Sequence, residues 1–357
     1  MRYHQFKINE YTDLETEKQT IIKTISGLDA SNEEEAAILD RIYKILNSDR
    51  ISTTIDNAFS KPIADESLSD NAKKQIIRDV TEILGTLSVD YKRMNQFLDK
   101  MEQGGVINTT ALGKPVSSFE SVFDNDVVAQ MAFLKLANYG SGKNQKGPGE
   151  YALAMLSDKI SLRPGGGDLD VEGLGQVELK AAVGASGGRL GHGGLAQKDA
   201  KAALEKYHDN VPALKQHFEQ GAKGMSLKNF QVYLASGLPP RDEANKKLRY
   251  EIGMDLYGPI FGEFAKAMAT ALTQDDYNVL EAEFLKANYA YYLDKDYFDV
   301  LLLCSFSAGK FAAVRNADEL IALKQAGHLS APAPSAVPTN AGMREVFSKV
   351  SLSKAKI

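Results

Sequence analysis

The chain has 357 residues, 43% of them hydrophobic and 25% charged, with a net charge of −5. Such a chain buries a sizeable core and holds one large domain or two to three ordinary ones. A single cysteine, Cys304, excludes a disulfide framework and a Cys-rich zinc site and fits a reducing compartment.

No apolar run reaches the roughly 18 to 20 residues of a membrane span. The opening "MRYHQFKINEYTD" lacks the charged start and apolar core of a signal peptide. A soluble chain with no membrane partner, in the cytoplasm or packaged from there into a virion, is expected. The charge is uneven: residues 141–250 hold 16 Lys and Arg against 12 Asp and Glu. That middle section tolerates a phosphate backbone better than the acidic remainder does, although a charge excess is more often a solvated face.

Residues 1–125 read as helical and acidic. In "SNEEEAAILDRIYKILN", Ser31 and Glu34 form a capping box ahead of a stripe of Ala37, Ile38, Ile42, Ile45 and Leu46. "NAKKQIIRDVTEILGTL" repeats the pattern through Ile76, Ile77, Val80, Ile83 and Leu84. This region suits recognition or partner binding. The Thr-, Ser-, Gly- and Pro-bearing segment at 107–125 marks a boundary.

An apolar helix, "DVVAQMAFLKLAN", follows, then a loop and a helix led by Pro148 with Tyr151, Ala152, Ala154, Met155 and Leu156 on its apolar face. The loop "GSGKNQKG" lacks the spacing of a nucleotide-binding loop, because Ala137 and Asn144 stand where glycine and Ser/Thr are needed. Its Lys143 and Lys146 remain candidates for contacting DNA phosphates.

Next comes a hairpin in "GGGDLDVEGLGQVELKAA", residues 165–182. Strand alternation puts Asp168, Asp170 and Glu172 on one face of the first arm, and Glu178 with Lys180 on one face of the second. Val177 and Leu179 point into a core, leaving Glu178 and Lys180 facing outward. Two carboxylates suit a hard divalent ion. An ammonium beside them suits orienting or deprotonating a water and offsetting charge on phosphorus.

Beyond "VGASGGRLGHGG" the sequence predicts a polar helix interrupted at Pro212, a strand in "NFQVYLAS", and helices through "NYAYYLDKD". The aromatic residues of that last stretch read as core before base-stacking platforms. A strand in "YFDVLLLCSF", a second in "KFAAVR", and a helix capped by Asn316 with Glu319 three residues on complete the unit. The Ala/Pro/Ser run at 329–340 reads as a semi-rigid linker. It carries a tail, residues 341–357, that docks as a strand or stays mobile.

The residues Asp168, then Glu178-x-Lys180 on the second arm of a hairpin, resemble the PD-(D/E)XK nuclease superfamily. The glycine-rich style of residues 147–191 is similar to bacteriophage members of it. The resemblance implies an α+β fold: a restriction-endonuclease-like mixed β-sheet core flanked by helices at 126–328, after a mostly helical N-terminal region. It implies a Mg2+-dependent endonuclease acting on DNA, with Mn2+ as a substitute. Asp168 and Glu178 are then metal ligands, with Asp170 as an alternate. Lys180 assists the water, and Glu150 is the acid on the preceding helix. Arg189 in "GGRLG" becomes a phosphate contact, and His192 a further residue beside the site.

Two readings stay open. Acid-x-Lys tripeptides are common, and Asp90-Tyr91-Lys92 and Asp199-Ala200-Lys201 are two others in this chain, both in polar, helical surroundings. A solvated hairpin is the plain structural reading. The second functional reading is a phage or mobile-element structural or assembly protein that keeps the fold and works through homo-oligomer or virion contacts.

Overall fold

The computed structural model describes residues 33–59, 68–87, 89–140, 147, 149–163, 167–182, 188–190, 203–219, 225–337 and 346–353. It is an α+β protein of two compact units. The first comprises Met1–Gly113 with Ser117–Gly175, the second Lys114–Val116 with Gln176–Ile357. The division therefore falls at Gly175/Gln176, inside the span 126–328 expected as one domain, because the helices on either side of residue 125 share one core. Among the described residues no helix is long and apolar enough to cross a membrane.

In the first unit the helices are α1 (Glu33–Leu46), α2 (Asp49–Phe59), α3 (Asp70–Gly85), α4 (Tyr91–Glu102), α5 (Thr109–Leu112), α6 (Phe119–Val122), α7 (Val127–Gly140) and α8 (Glu150–Leu156). The periodic stripes are the buried ones. Ile38, Leu39, Ile42 and Leu46 of α1 meet α3, whose Ile76, Ile77, Val80 and Leu84 are buried. Ala37 is exposed, and Leu39 takes its place on the buried stripe. Ser31, the expected cap of α1, lies outside the described residues. Asp90 caps α4, its carboxylate accepting from the Arg93 N–H at 2.9 Å. This explains why Asp90-x-Lys92 is only a helix start.

Strands of this unit are β1 (Ser117–Ser118), β2 (Ile160–Leu162) and β3 (Leu169–Val171). β2 and β3 pair antiparallel, Ile160 opposite Val171 and Leu162 opposite Leu169, all four buried. Gly173 at φ 82° turns the chain after β3, a left-handed conformation that costs glycine little.

In the second unit β4 (Gly175–Ala182) pairs parallel with β6 (Val300–Ser305), which pairs antiparallel with β7 (Lys310–Val314). β6 and β7 are buried throughout, as continuous apolar runs require. A smaller antiparallel sheet orders β5 (Gly188–Leu190), β9 (Ser348–Leu352) and β8 (Leu329–Ser330). The C-terminal tail thus docks as the central strand of that sheet.

The helices here are α9 (Pro212–Glu219), α10 (Leu227–Gly237), α11 (Glu243–Phe261), α12 (Ala265–Leu272), α13 (Tyr277–Asp296) and α14 (Ala317–Gln325). Leu285, Tyr289 and Tyr292 of α13 share a core with Leu301, Leu303, Ala312 and Val314 of the sheet.

Three expectations are corrected here. "NFQVYLAS" is helix α10, because Ser226 caps it and Leu227, Phe230, Gln231 and Leu234 bury one helical face. Pro212 does not interrupt a helix but begins α9, where its missing N–H costs nothing. The expected linker is packed as far as residue 337: Ala331, Ala333, Ser335, Ala336 and Val337 are buried, and Val337 exchanges backbone hydrogen bonds with Met225. Small alanines fit against a neighbouring backbone where composition alone suggests a tether.

Candidate functional site

Glu178 and Lys180 stand on one face of β4, two residues apart, in register with Leu301 and Leu303 of β6. Val177 and Leu179 are buried on the opposite face, as the alternation requires. The Glu178–Lys180 face does not look into open solvent, however. It is the face that α13 covers, so the Glu178 side chain is only 8% exposed while that of Lys180 is 24% exposed. The expectation that both face outward therefore holds only in part for Lys180 and fails for Glu178, because β4 is sandwiched rather than half-exposed.

Burying a carboxylate demands partners. Lys180 Nζ donates to Glu178 Oε1 at 2.7 Å, and the hydroxyl of Tyr292 donates to the same oxygen. The Lys180 ammonium also lies 4.9 Å from the centroid of the Tyr292 ring. Carboxylate and π-face both favour a charged lysine. Gly188 permits this packing: a Cβ there would fall 2.8 Å from Lys180 Cβ.

Tyr292 was not singled out by the sequence. Its stretch reads as core in the sequence, and Tyr289, Tyr292 and Phe298 are buried, whereas Tyr291 is half-buried and Tyr297 exposed. The usable signal is a tyrosine hydroxyl on the inner face of α13, which must find a partner when buried.

Arg189 lies on β5, exposed, with its guanidinium carbon 5.4 Å from the Phe347 ring centroid. Lys143, Lys146 and His192 lie outside the described residues.

The remaining acids belong to the first unit. Asp168 is half-buried at the start of β3, and its carbonyl accepts from the Arg163 N–H at 3.1 Å. Asp170 is exposed opposite Ser161. Glu150 is 4% exposed at the first turn of α8, every residue of which is buried. Its Oε1 accepts from the Gly147 N–H at 2.7 Å, and a Cβ at position 147 would fall 2.4 Å from that oxygen and displace it.

The far end of α8 is held by Arg50. Its guanidinium donates to the carbonyls of Ala154 and Ser157, both at 3.1 Å, and of Met155 at 3.4 Å. Burial lowers the pKa of Arg50 from its usual value, and Asp158 acts against that shift.

Among the described residues no group of three or more His, Cys, Asp or Glu side chains gathers to hold a metal ion. Mg2+ does not ask for such a group: it keeps several waters and takes one or two carboxylates with substrate phosphate oxygens. The carboxylate oxygens named above are hard donors of the kind that ion takes.

Comparison with protein-family models, with curated proteins and with solved structures yields no match.

Proposed function

We propose that the protein is a Mg2+-dependent endodeoxyribonuclease with a restriction-endonuclease-like core, acting in a bacterial host cell. One observation carries the reading: a glutamate and a lysine two residues apart on a buried strand, locked together by a tyrosine. A solvated hairpin has no use for such an arrangement. Keeping a carboxylate and an ammonium under a helix costs solvation, and that cost is commonly met where chemistry needs rigid charges. The parallel pairing of β4 with β6 beside the antiparallel β6–β7 pair also fits the mixed sheet that the resemblance implies.

In this reading Glu178 is a residue that holds Mg2+, and the resemblance assigns Asp168, with Asp170 as alternate, to the same role. When bound, the ion supplies Lewis acidity at a phosphate oxygen and an acidified water. Lys180, held as an ammonium, orients the attacking water and offsets the charge that grows on the phosphate oxygens. Its pairing favours this over a role as base. Tyr292 keeps both side chains in position. Glu150 is the acid that the resemblance assigns to the preceding helix.

The test is conversion of supercoiled plasmid to nicked or linear form with Mg2+ or Mn2+ and its absence with EDTA. Plasmid left intact under all three conditions overturns the reading and favours an assembly role.

A further inference from the structure

We propose that the groove between α1, α3 and α4 is the seat of the chain's own residues 13–26, packed there as a helix that runs back along α1. The inference concerns the first unit and does not depend on the nuclease reading.

α1 buries its inner face against α3 and α4, but near its N-terminal end a groove of about 320 Å³ remains between them. Its walls include Ile38 and Leu39 of α1, Leu87 and Val89 of the α3–α4 connection, and Met94 of α4. The two acids that also line it are engaged: Glu35 accepts from the Tyr91 hydroxyl, and Asp90 caps α4. The groove therefore asks for apolar atoms rather than a cation. Unfilled space beside aliphatic walls forfeits dispersion contacts and leaves apolar surface to water.

The sequence just ahead of α1 supplies matching side chains. Thr12 with Glu15 makes a capping box, Leu14, Ile21, Ile22 and Ile25 recur on one helical stripe, and Gly27 is a stop signal. These residues lie outside the described ones. Only Gly27 to Asn32 separate the stretch from α1, a length that joins neighbouring antiparallel helices. Such a connection returns Ile22 and Ile25 to the first turns of α1, where Ile38 and Leu39 line the groove. It also holds the stripe at an effective concentration on the order of millimolar, which favours it over a second copy of the chain or a separate protein. A partner of the N-terminal region must then displace residues 13–26 or bind elsewhere.

The chain has no tryptophan, so a single introduced indole reports on one position of the full-length protein. With Ile25→Trp the indole should emit at shorter wavelength than free tryptophan. Acrylamide should quench it several-fold less than with Lys23→Trp, which lies on the opposite face of the same helix. Val89→Arg, a change at a half-buried wall residue, should return the Ile25→Trp indole to the quenching of Lys23→Trp. Neither signal should change on dilution, since the contact is intramolecular. A wild-type circular dichroism spectrum shows that each variant is folded, and Ile21→Trp takes the place of Ile25→Trp if the larger ring is not accepted there. The inference is overturned by freely quenched indoles at both positions 21 and 25, or by protection that Val89→Arg leaves in place. Protection lost on dilution also overturns it, and assigns the groove to a second copy.

Discussion

The hydroxyl of Tyr292 donates to Oε1 of Glu178, the oxygen that Lys180 reaches at 2.7 Å. One helix residue therefore holds both charged side chains of β4, through its hydroxyl and through its ring. Tyr292→Phe keeps the ring and removes the donor. The expected cost is about 1–3 kcal/mol of unfolding free energy, the value of a hydrogen bond to a buried charged group, read from urea denaturation. Cleavage should slow as well, and Lys180→Met added to Tyr292→Phe should cost less than the two separate losses combined, because the residues share one partner.

Arg50 closes the C-terminal end of α8 through three carbonyls. A cation there meets the negative end of the helix as well as its unsatisfied oxygens. Arg50→Met, which keeps much of the stem, should lower stability by about 1–3 kcal/mol. Arg50→Lys should recover only part of that loss, since one ammonium cannot span what a planar fork spans. Denaturant midpoints for the two variants decide this.

Acid should weaken the second unit partly through Asp255. Burial alone pushes its carboxyl upward, but Lys206 at 2.6 Å and the hydroxyl of Tyr207 outweigh burial and hold it below its usual value. A carboxyl lowered on folding contributes stability above its unfolded pKa and loses it as pH falls through the folded value. Asp255→Asn should therefore melt below wild type near neutral pH. The gap should close as pH drops below about 4. Melting curves across that range check it, and a gap that stays constant contradicts the assignment.

Much of the fold is legible in the sequence wherever local signals and burial agree. Asn316 caps α14 through the Glu319 N–H at 2.9 Å, and the run from Val300 to Ser305 is a strand buried on both faces. Where local composition and tertiary packing disagree, packing decides. "NFQVYLAS" carries aromatic and β-branched residues that suit a strand, yet a capped amphipathic helix buries them better. The Pro- and Ala-rich segment after β8 resembles a tether because its small side chains give no periodicity, and their smallness is what lets backbone meet backbone at Met225.

The site divides in the same way. That Glu178 and Lys180 share a face follows from strand alternation alone. That Glu178 is buried does not, because the partner that covers it is 114 residues away on α13.

Whether the Glu178–Lys180 pair performs phosphodiester cleavage is decided by the single-turnover rate of duplex cleavage by Glu178→Gln at saturating Mg2+. The substitution keeps size and removes the charge that would hold the ion. A fall of at least about 10²-fold, the scale lost with one essential electrostatic or acid–base group, is the predicted result, with folding confirmed by an unchanged circular dichroism spectrum. Cleavage by Glu178→Gln at the wild-type rate would show that Glu178 has no part in the reaction.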